Sequence, residues 1–253
     1  MTTYQDVQLR DEDASVLKSF EEVLREPIPL AEEIRWNTFG FTAINGNVTG
    51  IGMFSKGLTT LPEGLWDLRR LEYLWLTGNR LSPFPEEVRR LGALRQLSMN
   101  INGLKELPRG LWQLDSLEYL CFWRNQVTTI PDELGNLKQL EEFHPAANPI
   151  TTLPESITQL KNLRVMDLAD TKITSLPEKF QLLQRLEVLN IEKTEMTSFP
   201  KEIGYLRNLK FLGLDEELLD KVPESMRRRE GLEIRARPRA GKPAHANDIN
   251  RPS

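Results

Sequence analysis

Three residues that could do chemistry stand at one fixed interval: Cys121, His144 and Asp167 are each 23 positions apart. A thiol, an imidazole and a carboxylate in line are the parts of a nucleophile, its base and the acid that orients the base. The same three groups have the right types to hold a metal ion. Little else in the chain suits catalysis. It contains two histidines and one cysteine, with no GxxxxGK[ST] phosphate loop, no HExxH and no Cys-x-x-Cys. A second group of residues suits recognition instead. Phe54, Tyr73, Trp75, Tyr119 and Trp123 are aromatic, Arg124 is basic, and Asp167, Asp170, Glu192 and Asp215 are acidic. Which chemistry applies depends on what brings these positions together.

The interval of the cysteine, histidine and aspartate is the interval of the whole chain. Prolines recur at 62, 85, 108, 131, 154, 177, 200 and 223, always 23 residues apart. Around them the text repeats as LPEGL, FPEEV, LPRGL, IPDEL, LPESI, LPEKF, FPKEI and VPESM, and a segment of the form LxxLxLxxN follows, as in Leu71 to Asn79. The alternation Leu71-x-x-Leu74-x-Leu76 has the period of a short strand with one face buried. A unit this short cannot bury its own apolar face, so neighbours must stack and their strands must form a parallel sheet. Proline suits the first position of a helical turn on the return path, and the acids that follow it (Glu63, Glu86, Asp132, Glu155) suit a helix N-terminus. Asn79, Asn102, Asn125 and Asn148 end four consecutive strands. An amide there can satisfy backbone groups of adjacent coils.

These motifs resemble those of leucine-rich-repeat proteins, in particular the 23-residue intracellular type found in Ras-group and plant disease-resistance-like proteins; the likeness covers about 48–235. The resemblance implies an α/β solenoid: a curved right-handed arc with a parallel concave sheet and short helical or 3-10 segments on the convex side. It implies a scaffold or recognition module, and by analogy a regulatory or substrate-recognition subunit of a GTPase, kinase or ubiquitin ligase carried on another chain. The asparagine column starts with Lys56 and ends in Thr171, Thr194 and Glu217, so a complete ladder is expected only in the middle.

A solenoid needs capped ends. In 1–47 the spacing of Val16, Leu17, Phe20, Val23 and Leu24 predicts a capping helix over 12–26, with Asp13 or Ser15 as its N-cap. Asn45-Gly46 predicts a hairpin whose second arm, Val48-x-x-Ile51-x-Met53, is in phase with the repeat strands. Trp36 is expected in the core of this cap, and Trp66 and Trp112 between coils. The leucine column becomes Arg229 in the last repeat, and 236–253 reads as a disordered basic tail.

Strand alternation points the residues between the leucines toward the concave face. One column reads Tyr73, Gln96, Tyr119, Glu142; the next reads Trp75, Ser98, Cys121, His144, Asp167; a third contains Phe54, Trp123, Glu192 and Asp215; and Arg124 and Asp170 stand at strand exits. Exposed Trp, Tyr and Arg are the types enriched in binding hot spots. A bipartite partner-binding face is therefore expected: aromatic anchors with Arg124 at the N-terminal end, an acidic strip of Asp167, Asp170, Glu192, Asp215 and Glu216 at the other, and His144 on the same face between them. Catalysis is disfavoured, because the cysteine lies on an open sheet whose N–H groups are spent in the ladder and Pro145 disturbs the strand of His144.

The net charge of −4 gives no general attraction to nucleic acid, although Arg227–Arg229, Arg235, Arg237, Arg239, Lys242 and Arg251 form a basic cluster that could contact nucleic acid or a membrane. No apolar run is long enough to span a bilayer, and no secretory signal is recognisable. The lone Cys121 favours a reducing cytoplasm. A monomeric protein- or peptide-binding chain without cofactor or metal, acting in signal transduction, is the expectation.

Overall fold

The structure, a computed structural model, describes residues 1–238. A hairpin of β1 (Thr2–Tyr4) and β2 (Val7–Leu9) leads into helix α1 (Asp11–Leu24) and a second hairpin, β3 (Phe39–Ile44) and β4 (Asn47–Met53). Then come β5 (Tyr73–Trp75), β6 (Gln96–Ser98), β7 (Tyr119–Cys121), β8 (Glu142–His144), β9 (Val165–Asp167), β10 (Val188–Asn190), β11 (Phe211–Asp215), α2 (Glu216–Leu219), α3 (Glu224–Arg227) and β12 (Glu233–Arg237). Strands β3 to β12 form one sheet of 10 strands in chain order. It is antiparallel only between β3 and β4. Of the tail expected from 236, Ala236 and Arg237 belong to β12, and 239–253 lie outside the described residues.

The return paths are short 3-10 turns such as Glu63–Asp67, Arg109–Gln113 and Lys201–Tyr205, with α3 in the last repeat. The repeat proline sits one position earlier than its chemistry suggested. Pro62, Pro85 and Pro108 are the residues before each turn, in extended backbone, and their carbonyls accept the N–H of Leu65, Val88 and Leu111. A proline at that place removes no bond within the turn, because the N–H groups at the start of a helical turn have no partner inside it.

Stacking in register closes the core. Leu74, Leu97, Leu120, Phe143, Met166, Leu189 and Leu212 are fully buried in one row, as are Leu71, Leu94, Leu117, Leu140, Leu163 and Leu186 in another. Each such side chain contributes ~2 kcal/mol on leaving water. Trp66 and Trp112 are buried between coils.

The asparagine amides tie successive coils together. Asn125 Oδ1 accepts the N–H of Asn102 and Leu104, both at 3.0 Å, while its Nδ2 donates to Met99 and Phe122 carbonyls at 2.9 and 2.8 Å. Asn79, Asn102 and Asn148 make equivalent bonds across coils. Farther along, the hydroxyls of Thr171 and Thr194 donate to Leu168 and Ile191 of their own coils.

Where the strands leave the sheet, Ser55, Gly78, Ile101, Arg124, Ala147, Asp170 and Lys193 all have left-handed backbone, with φ of 53° to 76°. This turn keeps the exit N–H in the ladder: Ile101 N donates to Trp123 O and Arg124 N to Ala146 O, both at 3.0 Å. Gly78 is suited to that region by type and Asp170 tolerates it. A β-branched residue such as Ile101 is strained in it.

The N-terminal cap differs from expectation in two details. The residue before α1 is Arg10 rather than Asp13 or Ser15, and no side chain caps the helix. Asp13 is instead buried, and its Oδ2 accepts the N–H of Val48 at 2.7 Å, joining the helix to β4. The β1–β2 hairpin had no Gly-containing turn to betray it; Gln5 and Asp6 take the positive φ angles of 47° and 63°. It packs Tyr4 against Phe41 and bonds the Tyr4 hydroxyl to Glu21 at 2.7 Å. At the other end Arg229 replaces the core leucine and donates to the Gly204 and Leu206 carbonyls of the preceding return path, each at 2.7 Å.

Candidate functional site

The parallel register puts Tyr73, Gln96 and Tyr119 in one row across three strands, and Trp75, Ser98 and Cys121 in the next. Ser98 is small and wholly buried, which lets Trp75 on β5 and Tyr119 on β7 meet over it. Their rings stack with centroids 5.4 Å apart and planes 14° from parallel. Tyr119 also leans on the His144 ring, 5.1 Å away. At the exit of β7 the Arg124 guanidinium lies 5.8 Å from the centre of the Trp123 ring. Tyr73, Trp75, Tyr119, Trp123 and Phe54 are all half-buried and Arg124 is exposed. The indole N–H of Trp75 is buried without a hydrogen-bond partner, an uncompensated cost of ~1–3 kcal/mol.

A strap crosses the concave face at its N-terminal end. Gly50 and Gly52 occupy the positions that carry Tyr73 and Trp75 in the next coil. A Cβ on Gly50 would come within 2.5 Å of Ile34, and one on Gly52 within 2.7 Å of the Thr38 carbonyl. The segment 31–38 therefore lies against β4 only because those two side chains are missing. It carries Trp36, which is not core as expected: it is 46% exposed and packs edge-on against Phe54, with centroids 5.7 Å apart. A tryptophan at the end of a strap, rather than within the cap, adds to the aromatic surface.

The acidic strip is a different object from the one its sequence suggested. Asp170 is exposed, but Asp167, Glu192 and Asp215 are buried. Asp215 Oδ1 accepts the N–H of Lys193 at 2.7 Å, standing in for the carbonyl that the next coil supplies elsewhere. Glu192 faces Arg237 of β12 at 3.6 Å. Asp167 accepts the N–H of Ala169. Burial pushes the Asp167 carboxyl up, opposed by His144, and pushes Glu192 up, opposed by Arg237 and Arg235. These acids serve the fold. They are not a row of free carboxylates for a basic partner.

Cys121 and His144 are neighbours in register, yet they do not form a catalytic pair. Pro145 has no N–H to give to β9, so the β8–β9 pairing stops at Phe143 and Met166 and His144 has no partner opposite in Asp167. His144 Nε2 lies 3.1 Å from Glu142 Oε2 on its own strand. Burial pushes the Cys121 thiol up to about 11, away from the thiolate a nucleophile requires. Among the described residues no group of three or more His, Cys, Asp or Glu is placed to hold a metal, and no helix is long and apolar enough to cross a membrane. Part of the basic cluster is also occupied internally: Arg227 donates to the Val222 carbonyl, Arg228 pairs with Glu224 and Arg237 with Glu192.

A coil of one strand, an asparagine hinge and a proline-led turn, stacked in register, is the repeat unit of a known family, and the family's leucine-rich repeat region matches residues 58–148 and 148–234. The chain belongs to the leucine-rich-repeat family. A leucine-rich-repeat protein of Leptospira interrogans shares 34% identity and a TM-score of 0.68 over 74% of this chain and 48% of its own. An internalin of Listeria monocytogenes shares the fold at 21% identity and a TM-score of 0.63, over 74% of this chain and 53% of its own. A plant peptide hormone receptor, solved in complex with RGF2, shares 32% identity and a TM-score of 0.60 over 66% of this chain and 28% of its own. This leucine-rich-repeat chain thus spans about half the length of the two bacterial structures. No curated protein matches it. Leucine-rich-repeat proteins are characteristically protein-interaction modules.

Two residues of this surface escaped the sequence reading. Trp36 was signalled indirectly by Gly50 and Gly52, since paired glycines in a concave column announce a close approach. Ile101 had no signal, because its strained backbone and 38% exposure depend on the exit turn.

Proposed function

We propose that the concave face of the first four coils, from β4 to β7, binds a protein or peptide partner without catalysing a reaction on it. The observation that carries this reading is the half-exposed aromatic surface itself: Trp36 on Phe54, Trp75 on Tyr119, and Trp123 beside Arg124, all on one face. Clustered aromatic surface of this kind on a folded chain marks an interaction site. The plant receptor in complex with RGF2 supports the same use of the fold. The chain acts as a monomer in a reducing compartment, where Cys121 stays free, and serves a signalling assembly.

The test is affinity capture on the full chain and on the Trp75→Ala/Trp123→Ala variant. Recovery of the captured partner should fall by about tenfold or more. Equal recovery from a variant with unchanged circular dichroism would remove the concave face from consideration.

A further inference from the structure

The chemistry of the partner can be narrowed from the charge pattern of the same surface; this step rests on the reading above. Across the concave and exit positions of β4 to β7, from Gly50 to Arg124, one residue is charged, and it is Arg124. Other cations around the face are engaged: Lys56 with Glu26 at 2.8 Å, Arg95 with Glu118 at 2.7 Å, Arg237 with Glu192 at 3.6 Å. Arg124 has no carboxylate partner among the described residues. Its contact is the Trp123 ring, which holds the guanidinium at the rim while leaving it exposed. In the concave columns of the next coil the acid is Glu142 on β8, and its Oε2 lies 3.1 Å from His144 Nε2.

Two further features point the same way. Ile101, beside Arg124 in the preceding coil, is an exposed β-branched residue in left-handed backbone. Strain of this kind persists where the surrounding structure imposes it and clusters at binding surfaces. The strap with Trp36 walls one end of the aromatic stretch, so a ligand extends from there toward the other half of the sheet. Covering Arg124 with a neutral ligand would desolvate a cation and return nothing. A carboxylate would return a charge-assisted, bidentate pair.

We propose that this surface recognises a peptide segment carrying an aspartate or glutamate flanked by bulky apolar residues. The acid meets Arg124. Its apolar flanks lie on Trp123 and Ile101 beside it and on the Trp75–Tyr119 stack farther in.

A random library of displayed peptides about nine residues long, enough to cross four strands at ~4.8 Å each, is selected on the immobilised full chain. Selected peptides should share an acid between aromatic or aliphatic residues. Arg124→Gln should weaken them by about tenfold or more, and Arg124→Glu should redirect selection to Lys or Arg at the same place. Thermal midpoints near wild type confirm that both variants fold. Peptides that lack the acid, or bind Arg124→Gln equally, but fail on Trp75→Ala/Trp123→Ala overturn the carboxylate inference and leave the binding face standing. Peptides indifferent to both sets of substitutions, or no enrichment at all, overturn both.

Discussion

The first four coils and the last four use one repeat to opposite ends. From β4 to β7 the concave positions carry aromatic rings, small polar groups and one exposed cation, and the coils are locked from behind by asparagines that reach across to their neighbours. From β9 onward the asparagines give way to Thr171 and Thr194, whose hydroxyls donate to carbonyls of their own coils. The concave acids there turn inward, to Lys193 N–H, to Ala169 N–H and to Arg237. The first half ties its coils through the hinge and, on the face, through the small polar groups Thr77, Ser98 and Asn100, leaving the rings and Arg124 uncovered. The other half spends its charged groups on the face, Asp215 on Lys193 N–H and Glu192 on Arg237. A side chain that holds the sheet together is not available to a partner, so residue type alone does not mark a recognition surface.

The comparison breaks most easily at the hinge. Asn125→Ala takes the acceptor from two buried N–H groups, those of Asn102 and Leu104, and the side-chain donor from the Met99 carbonyl, and should cost about 3 kcal/mol or more in a denaturant titration. Thr171→Ala, at the equivalent position of the second half, removes one intracoil bond and should cost about 1 kcal/mol. Equal losses would mean the two hinges carry the same load.

At the junction of the halves, Cys121 should react with a small alkylating reagent at neutral pH more than tenfold more slowly than a free thiol, because it is buried and its pKa stands near 11. A rate near that of free cysteine would reopen the nucleophile reading. At the exit rim, Ile101→Asn should stabilise the chain by about 1 kcal/mol, since asparagine tolerates the left-handed turn. The equivalent Ala147→Asn should give less, having no β-branch to relieve. Raised stability together with weakened partner binding would show that the strain is kept for the surface.

The smallest effect is a matter of pH. Burial raises the folded-state pKa of Asp167 above its unfolded value. Its contribution to stability is therefore complete below the unfolded carboxylate range, near ~4, and is lost as pH rises through the folded value. The difference in thermal midpoint between Asp167→Asn and the wild type should shift in favour of the variant from pH ~4 to ~8. A difference that stays flat or shifts the other way would mean Asp167 ionises without a burial penalty.

Much of this molecule is legible in its text. The 23-residue period, the leucine rows, the Asn45-Gly46 hairpin, the helix near the N-terminus and the columns facing the concavity all follow from local pattern, because each repeat is the same small problem solved again. Trp66 and Trp112 between coils and the break at Pro145 follow from side-chain size and from a missing N–H. Tertiary structure alone decided the rest. Whether Asp167, Glu192 and Asp215 face solvent depends on groups in the next coil and in β12. Whether Trp36 is buried depends on a strap that settles over two glycines. Periodicity fixes the direction of a side chain from its own strand. Its exposure is set by what residues distant in the chain lay over it, and no repeat encodes that.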